Sequence, residues 1–331
     1  MLRKLLTTVC LVICSIGGAA LWLGIYILSP VTGPGERIVF IPKGSGLRTI
    51  QAILRDEAAV DADIRFLITA KLTGLSGRLK AGEYQLPANA LPHQILQLLA
   101  SGRSIRHRLT FPEGLTAQRI AEILARDGWV DQETFIALCG DPSLIRSLGL
   151  KQGSLEGYLF PDTYLLTRGE ADEIAIISMM TQRFHAVWKE IAGEEDHPEF
   201  TPHQVVTLAS IVEKETGAPG ERPLIAGVFI NRLQTGMKLQ SDPTVIYGLA
   251  EFNGNLTKAN LRTPTPYNTY MIKGMPAGPI CNPGRASLEA VLHPSATPFL
   301  YFVSKNDGTH HFSASLKEHN RAVRTYQRSG Q

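Results

Sequence analysis

Apolar positions along this chain fall into three regimes. In the first, residues 5 to 28 (LLTTVCLVICSIGGAALWLGIYIL) carry no charge. As a helix rising 1.5 Å per residue the run spans about 36 Å, enough to cross a bilayer. Arg3 and Lys4 precede it and the next charges are Glu36 and Arg37, a bias that places the amino end in the cytoplasm. A cleaved signal peptide would have a shorter apolar core followed by a small-residue cleavage site. The run is long and lacks such a site, so the pattern predicts an uncleaved single-pass signal anchor. Residues 1–35 then form a cytoplasmic tip, the anchor and a short Pro/Gly tether, SPVTGPG.

In the second regime, short apolar alternations lead into amphipathic stretches. RIVFIP and RHRLTFP each read as a strand followed by a turn, an amphipathic helix and a second helical stretch. The two copies echo each other at a period of 70: Pro42, Gly44, Ile50, Ile53, Leu54, Val60 and Asp61 recur as Pro112, Gly114, Ile120, Ile123, Leu124, Val130 and Asp131. Duplication accounts for this, and so does a turn pattern shared by chance. The first copy closes with AGEYQLP, a returning strand.

The third regime is a helix from Thr201 to about Thr216. Thr201, Pro202 and Gln204 make a capping-box start and Gly217 a stop. At 100° per residue Val205, Leu208, Ala209 and Val212 share a face, with Val206 and Ile211 at its edges. Around this helix the pattern predicts an amphipathic helix over 171–195 and a solvated loop, EEDHPEF. A further helix starts at Pro223, with Leu224, Ile225, Val228, Phe229 and Leu233 as its stripe; Asn231 and Arg232 near its end read as caps or site residues. Asp242 before Pro243 marks another helix start, which suits it better as a cap than as a catalyst. Residues 253–284 are too irregular for a helix and too long for a plain connector, as functional loops often are. The end returns to a helix around 287–292, strands FLYFV and HFSAS, and a helix from Leu316.

Composition narrows the class. With 331 residues, 44% hydrophobic and 19% charged, the chain is a folded protein with room for two domains. Its net charge of +3 is dispersed, without the basic runs that nucleic-acid binding needs. His310 and His311 lack Cys or carboxylate partners at ligand spacing and point oppositely in a strand, so no metal is expected. Cys10 and Cys14 fall in the apolar run; Cys139 and Cys281 either pair or stay buried.

The candidate chemistry lies in the central helix, where Glu213 and Glu215 flank the apolar face roughly 160° apart. Splayed like this they do not serve one bond as an acid/base pair. Desolvation and the negative end of the helix dipole both raise a carboxyl pKa there, which suits a general acid. The plain alternative is two solvated carboxylates, or one paired with Arg222. Periodicity does not choose between Glu213 and Glu215.

EGYLFPDTY, LASIVEKET, VFINRL, LQSDPTVIYG, PYNTY and MPAGPICNPG follow one another over roughly residues 155 to 312. This series closely resembles the MltG/YceG family of endolytic murein transglycosylases, with weaker similarity back to about residue 40. The resemblance implies an α+β protein: a single-pass anchor, a small LysM-like domain over 36–105, and a larger mixed α/β catalytic domain over 106–331. It maps the catalytic acid to the second glutamate of E-K-E, Glu215. It brings in Glu156, Asp162, Tyr164, Glu213, Asp242, Thr244, Tyr247, Asn268, Tyr270 and His311 as substrate-binding candidates, although Asp162 reads equally well as part of a structural turn. LysM-type modules bind N-acetylglucosamine polymers; Tyr84 and Phe66 have the right character to stack on sugars, but such aromatics are more often core.

The implied reaction is a non-hydrolytic cut of the β-1,4 bond between N-acetylmuramic acid and N-acetylglucosamine in nascent peptidoglycan strands. It leaves 1,6-anhydro ends, terminates strand growth and needs no cofactor. The implied setting is the bacterial cytoplasmic membrane, with the catalytic part periplasmic and with glycan strands and cell-wall synthases as partners. Two other readings stand beside it. A muramidase-type hydrolase would need a second carboxylate among Glu156, Asp162 and Asp242. A glycan-binding tether would need none.

Overall fold

The structure is a computed structural model that describes residues 1–30, 35–57, 59–61, 63–193 and 199–327. Residues 31–34 of the expected tether and 194–198 of the expected EEDHPEF loop lie outside the described residues. The architecture is mixed α/β. It begins with α1 (Leu2–Leu28), a largely exposed apolar helix long enough to serve as a membrane anchor. The chain divides into two compact units, Met1–Leu109 with Tyr164–Asp172, and Thr110–Thr163 with Glu173–Gln331.

In the first unit β1 (Arg37–Ile41) is followed by α2 (Leu47–Asp56), α3 (Ile64–Leu72), β2 (Gly82–Leu86) and α4 (Pro92–Ser101). Strands β1 and β2 pair antiparallel with Val39 opposite Tyr84, so the alternating inward residues Val39, Ile41, Tyr84 and Leu86 meet the helix residues Ile50, Leu54, Phe66, Ile95 and Leu99 in one core. Tyr84 and Phe66 are fully buried there. The Tyr84 hydroxyl donates to the Lys80 carbonyl at 3.0 Å, so neither ring offers a face to a ligand. The end of α1 packs on α3 and α4, with the Arg65 guanidinium over the rings of Trp22 and Tyr26. Strand β3 (His107–Thr110) pairs with β4 (Thr163–Leu166).

The second unit contains α5 (Ala117–Arg126), α6 (Gln132–Cys139), α7 (Pro142–Ser147), α8 (Glu173–Ala192), α9 (Pro202–Glu215), α10 (Arg222–Gln234), α11 (Asp242–Gly248) and α12 (Arg285–Leu292), then the hairpin β5 (Tyr301–Ser304) and β6 (His310–Ser313), and α13 (Leu316–Gln327). The echo seen in sequence has a backbone counterpart. Helices α2 and α5 sit at the same offset, and the turns ahead of them use left-handed glycines, Gly44 at φ 83° and Gly114 at φ 79°. The match ends at the next helix. Asp131 caps α6 by accepting the Thr134 N–H, while Asp63 rather than Asp61 caps α3 by accepting the Arg65 N–H.

Helix α9 starts on the expected capping box, with the Thr201 N–H donating to Gln204 Oε1 at 2.8 Å. It is not half-exposed, as the amphipathic reading implied: every residue from Val205 to Val212 is buried, because α10, α11 and α12 all pack on it. Its small polar residues are satisfied from inside. The Ser210 hydroxyl donates to the Thr207 carbonyl at 2.7 Å and accepts the Ile280 N–H at 3.0 Å. Cys139 and Cys281 are both buried and free.

Candidate active site

Helix α9 ends in the wall of an open cavity of about 470 Å³, within the second unit, lined by residues that include Glu215, Arg232, Gln240, Asp242, Tyr270, Tyr301, His310 and His319. Glu215 Oε1 accepts the Ser241 hydroxyl at 2.6 Å. Ser241 is fixed in turn: its N–H donates to Thr269 Oγ1 at 3.0 Å and its carbonyl accepts the Thr244 hydroxyl at 2.6 Å. Burial pushes the Glu215 pKa above the usual carboxylate value. The Ser241 hydrogen bond pulls against this, the Asp242 charge adds to the rise, and His310 and Arg232 oppose it.

The cavity's charged walls are held from within the protein. Arg232, buried at the end of α10, donates from Nε to the Leu300 carbonyl at 2.6 Å and from Nη1 to the Leu239 carbonyl at 2.5 Å; burial lowers its pKa. His310 gives its backbone N–H to one Glu221 oxygen at 3.0 Å and places Nδ1 2.7 Å from the other. The Tyr270 hydroxyl donates to Asp242 Oδ1 at 2.6 Å, and burial together with that carboxylate raises the Tyr270 pKa. Asp242 is therefore a first-turn residue of α11 with a side-chain partner, and the capping position expected of it belongs to Ser241.

Glu213 has a different environment. Its carboxylate accepts the Gly284 N–H at 3.0 Å and the Ser287 hydroxyl at 2.7 Å, both at the start of α12, and Arg222 Nη2 lies 3.5 Å away. Its side chain is 7% exposed, and it does not line the cavity. Glu156 is deeper still. It accepts the Ala117 N–H at 3.1 and 3.2 Å, the Tyr247 hydroxyl at 3.1 Å and the Asn282 amide at 3.1 Å, and burial pushes its pKa up to about 7.

Of the residues singled out from sequence, the cavity gathers Glu215, Asp242 and Tyr270. Thr244 is buried behind Ser241, bonded to Thr269 at 2.8 Å. Asn268 ties the 260–270 loop by donating to the Thr263 carbonyl at 2.7 Å. Tyr247 meets Tyr267 edge to face at 4.8 Å. Tyr164 is a core residue of β4 in the first unit. Asp162 pairs with Arg183 at 2.6 Å; desolvation acts to raise its pKa, but the Thr163 N–H and Arg183 outweigh it and the pKa is lowered. In β6, His310 rather than His311 faces the cavity, and His311 instead packs beside Tyr326 at 5.7 Å. Alternation in the strand allows only one of the two histidines there, and the resemblance pointed to the other one, His311.

Sequence reasoning missed Gln240, Ser241, Tyr301 and His319. For Ser241 the local rule misled: a proline at the first helical position would put the cap on Asp242, whereas Pro243 is the second residue of α11 and the cap falls on the serine.

Chemically, Glu215 can release a proton into the cavity and take one back, as a general acid–base enzyme requires. The model of the YceG-like family matches residues 39–325, and the chain belongs to this family. It is 33% identical over 328 residues to a Bacillus subtilis protein named endolytic murein transglycosylase, covering 94% of this chain and 91% of that one. A Streptococcus pneumoniae protein of the same name is 30% identical over 333 residues; the match covers 89% of this chain but 60% of that protein. Among solved structures, a YceG-like protein from Listeria monocytogenes superposes with a TM-score of 0.61 at 33% identity, covering 87% of this chain and 98% of that one.

Proposed function

We propose that this protein is a membrane-anchored lytic transglycosylase that cuts peptidoglycan strands within the chain, as the names of its relatives imply. The observation that carries the reading is the placement of Glu215: a carboxyl of raised pKa, oriented by Ser241, in the wall of an open cavity. Protonated, Glu215 donates to the glycosidic oxygen as the C–O bond breaks. As a carboxylate it then takes the proton from the muramic acid 6-hydroxyl, whose oxygen closes on the anomeric carbon. No water is consumed and the acid is regenerated. The substrate's own acetamido group stabilises the positive charge that develops at the anomeric carbon, so one protein carboxyl suffices.

Helix α1 anchors the enzyme in the cytoplasmic membrane with its amino end inside and the catalytic unit outside, beside the synthases that make the strands. The β1-α2-α3-β2 arrangement of the first unit supports a LysM-like reading. Because Tyr84 and Phe66 are core residues, any glycan contact there would use other side chains.

Mass spectrometry of the products released from purified glycan strands by the full-length protein tests the reaction. Anhydro-ended products that vanish in Glu215→Gln are the expected result. Reducing ends would instead make Asp242, the other carboxylate lining the cavity among the described residues, the partner of a hydrolase. No cleavage would leave the tether reading.

A further inference from the structure

Among the described residues three non-glycine positions have positive φ: Asn89 at 57°, Asn306 at 64° and Gln240 at 50°. Asparagine tolerates this left-handed region because its short side chain bonds locally; glutamine does not share that ease. The backbone of Gln240 is pinned on both sides. Its N–H donates to the Thr269 carbonyl at 3.2 Å, the preceding carbonyl holds Arg232, and the following residue is the serine bonded to Glu215. A strained residue over-determined by its surroundings, at the edge of a reacting group, is where strain serves function.

The hydrogen-bond inventory singles out the same residue. Around the cavity, Glu215 is engaged by Ser241, Asp242 by Tyr270, His310 by Glu221 and Arg232 by two carbonyls. Gln240 lines the cavity, is exposed, and its side-chain amide makes no hydrogen bond within the protein among the described residues. A primary amide offers both N–H donors and a carbonyl acceptor. An acetamido group offers one donor and one acceptor, and the two amides can pair.

We propose that Gln240 is a substrate-contacting residue whose amide pairs with an acetamido group of the bound strand, and that its left-handed backbone aims that amide beside Glu215. The proposal rests on the glycan-cleaving reading and names which feature of the strand the site recognises.

The test is binding of full-length wild type and Gln240→Gly to N-acetylated strands and to the same strands chemically stripped of their acetyl groups. Glycine takes positive φ without steric cost, so the variant removes the amide while sparing the backbone. The expected result is about fivefold weaker binding to acetylated strands, in the range of one net hydrogen bond. Binding to stripped strands should not change between the two proteins, and the thermal midpoint of the variant should be unchanged or raised. Equal binding by both proteins would overturn the proposal. So would an equal loss on both kinds of strand, or a fall in thermal midpoint that accounts for the loss. Failure of the lytic reading looks different: wild type would still discriminate between the strands but leave no anhydro ends.

Discussion

Glu213 and Glu215 leave the same turn of the same helix and enter opposite environments. Glu213 closes onto the first turn of α12 and Arg222, where backbone N–H, hydroxyl and guanidinium neutralise it. Glu215 has one neutral donor, a carboxylate neighbour and an open cavity. Two identical side chains are thus sorted by what approaches each flank: one becomes part of the framework, the other stays poised to exchange a proton.

The sharpest way to break this contrast is to replace each acid. Glu215→Gln should lower the rate of anhydro-product formation by about 10³-fold, in the range for a lost general acid, and leave the denaturation midpoint near wild type. Glu213→Ala should do the reverse. The Gly284 N–H and the Ser287 hydroxyl lose their acceptor while Arg222 keeps Ser287 at 3.2 Å and Glu113 at 3.7 Å, a cost of about 2 kcal/mol read as a lower urea midpoint, while product chemistry in the folded fraction keeps its anhydro ends.

Glu156 extends the comparison to a carboxyl that is buried and hydrogen-bonded but outside the cavity. Its pKa is raised to about 7 in the fold, so the fold binds its proton more tightly than the unfolded chain does. Its contribution to stability is full below about pH 4.5 and is lost as pH rises through about 7, a swing on the order of 3 kcal/mol. Glu156→Gln cannot titrate, so the difference between wild-type and variant denaturation midpoints should drift in wild type's favour as pH falls across that window.

The smallest effect expected is that of Ser241→Ala, about tenfold in rate, as befits a neutral hydrogen bond that orients the acid. Its signature is a pH profile. The rate falls as Glu215 loses its proton, and removing a donor to the carboxylate raises that pKa further, so the alkaline limb should move to higher pH.

Much of this was legible in the sequence. The capping box Thr201–Gln204, the glycine turns ahead of α2 and α5, and the splay of the two glutamates all depend on residues within a few positions of one another, and local rules read them. What separates Glu213 from Glu215 is not local. The donors to Glu213 arrive from Gly284 and Ser287 and the donor to Glu215 from Ser241, and no periodicity reports which loop docks on which flank. Resemblance pointed to Glu215, which is the one of the two that lines the cavity. His310 illustrates a second limit: a strand's alternation gives two phases, and only the packing of β6 against Glu221 selects one. Glu156, brought in as a substrate candidate, shows a third, because a carboxylate that organises three segments from inside looks the same in sequence as one that meets a ligand.

The order in which these parts are made has a consequence for biogenesis. The ribosome delivers Glu215 before Ser241, Tyr270, the β5–β6 hairpin and the α13 wall. Until those segments arrive, the carboxyl has no orienting hydroxyl and no enclosing surface. A chain stopped before α13 therefore keeps Glu215 and Ser241 but lacks one wall of the cavity, and the site is completed last, with the final helix.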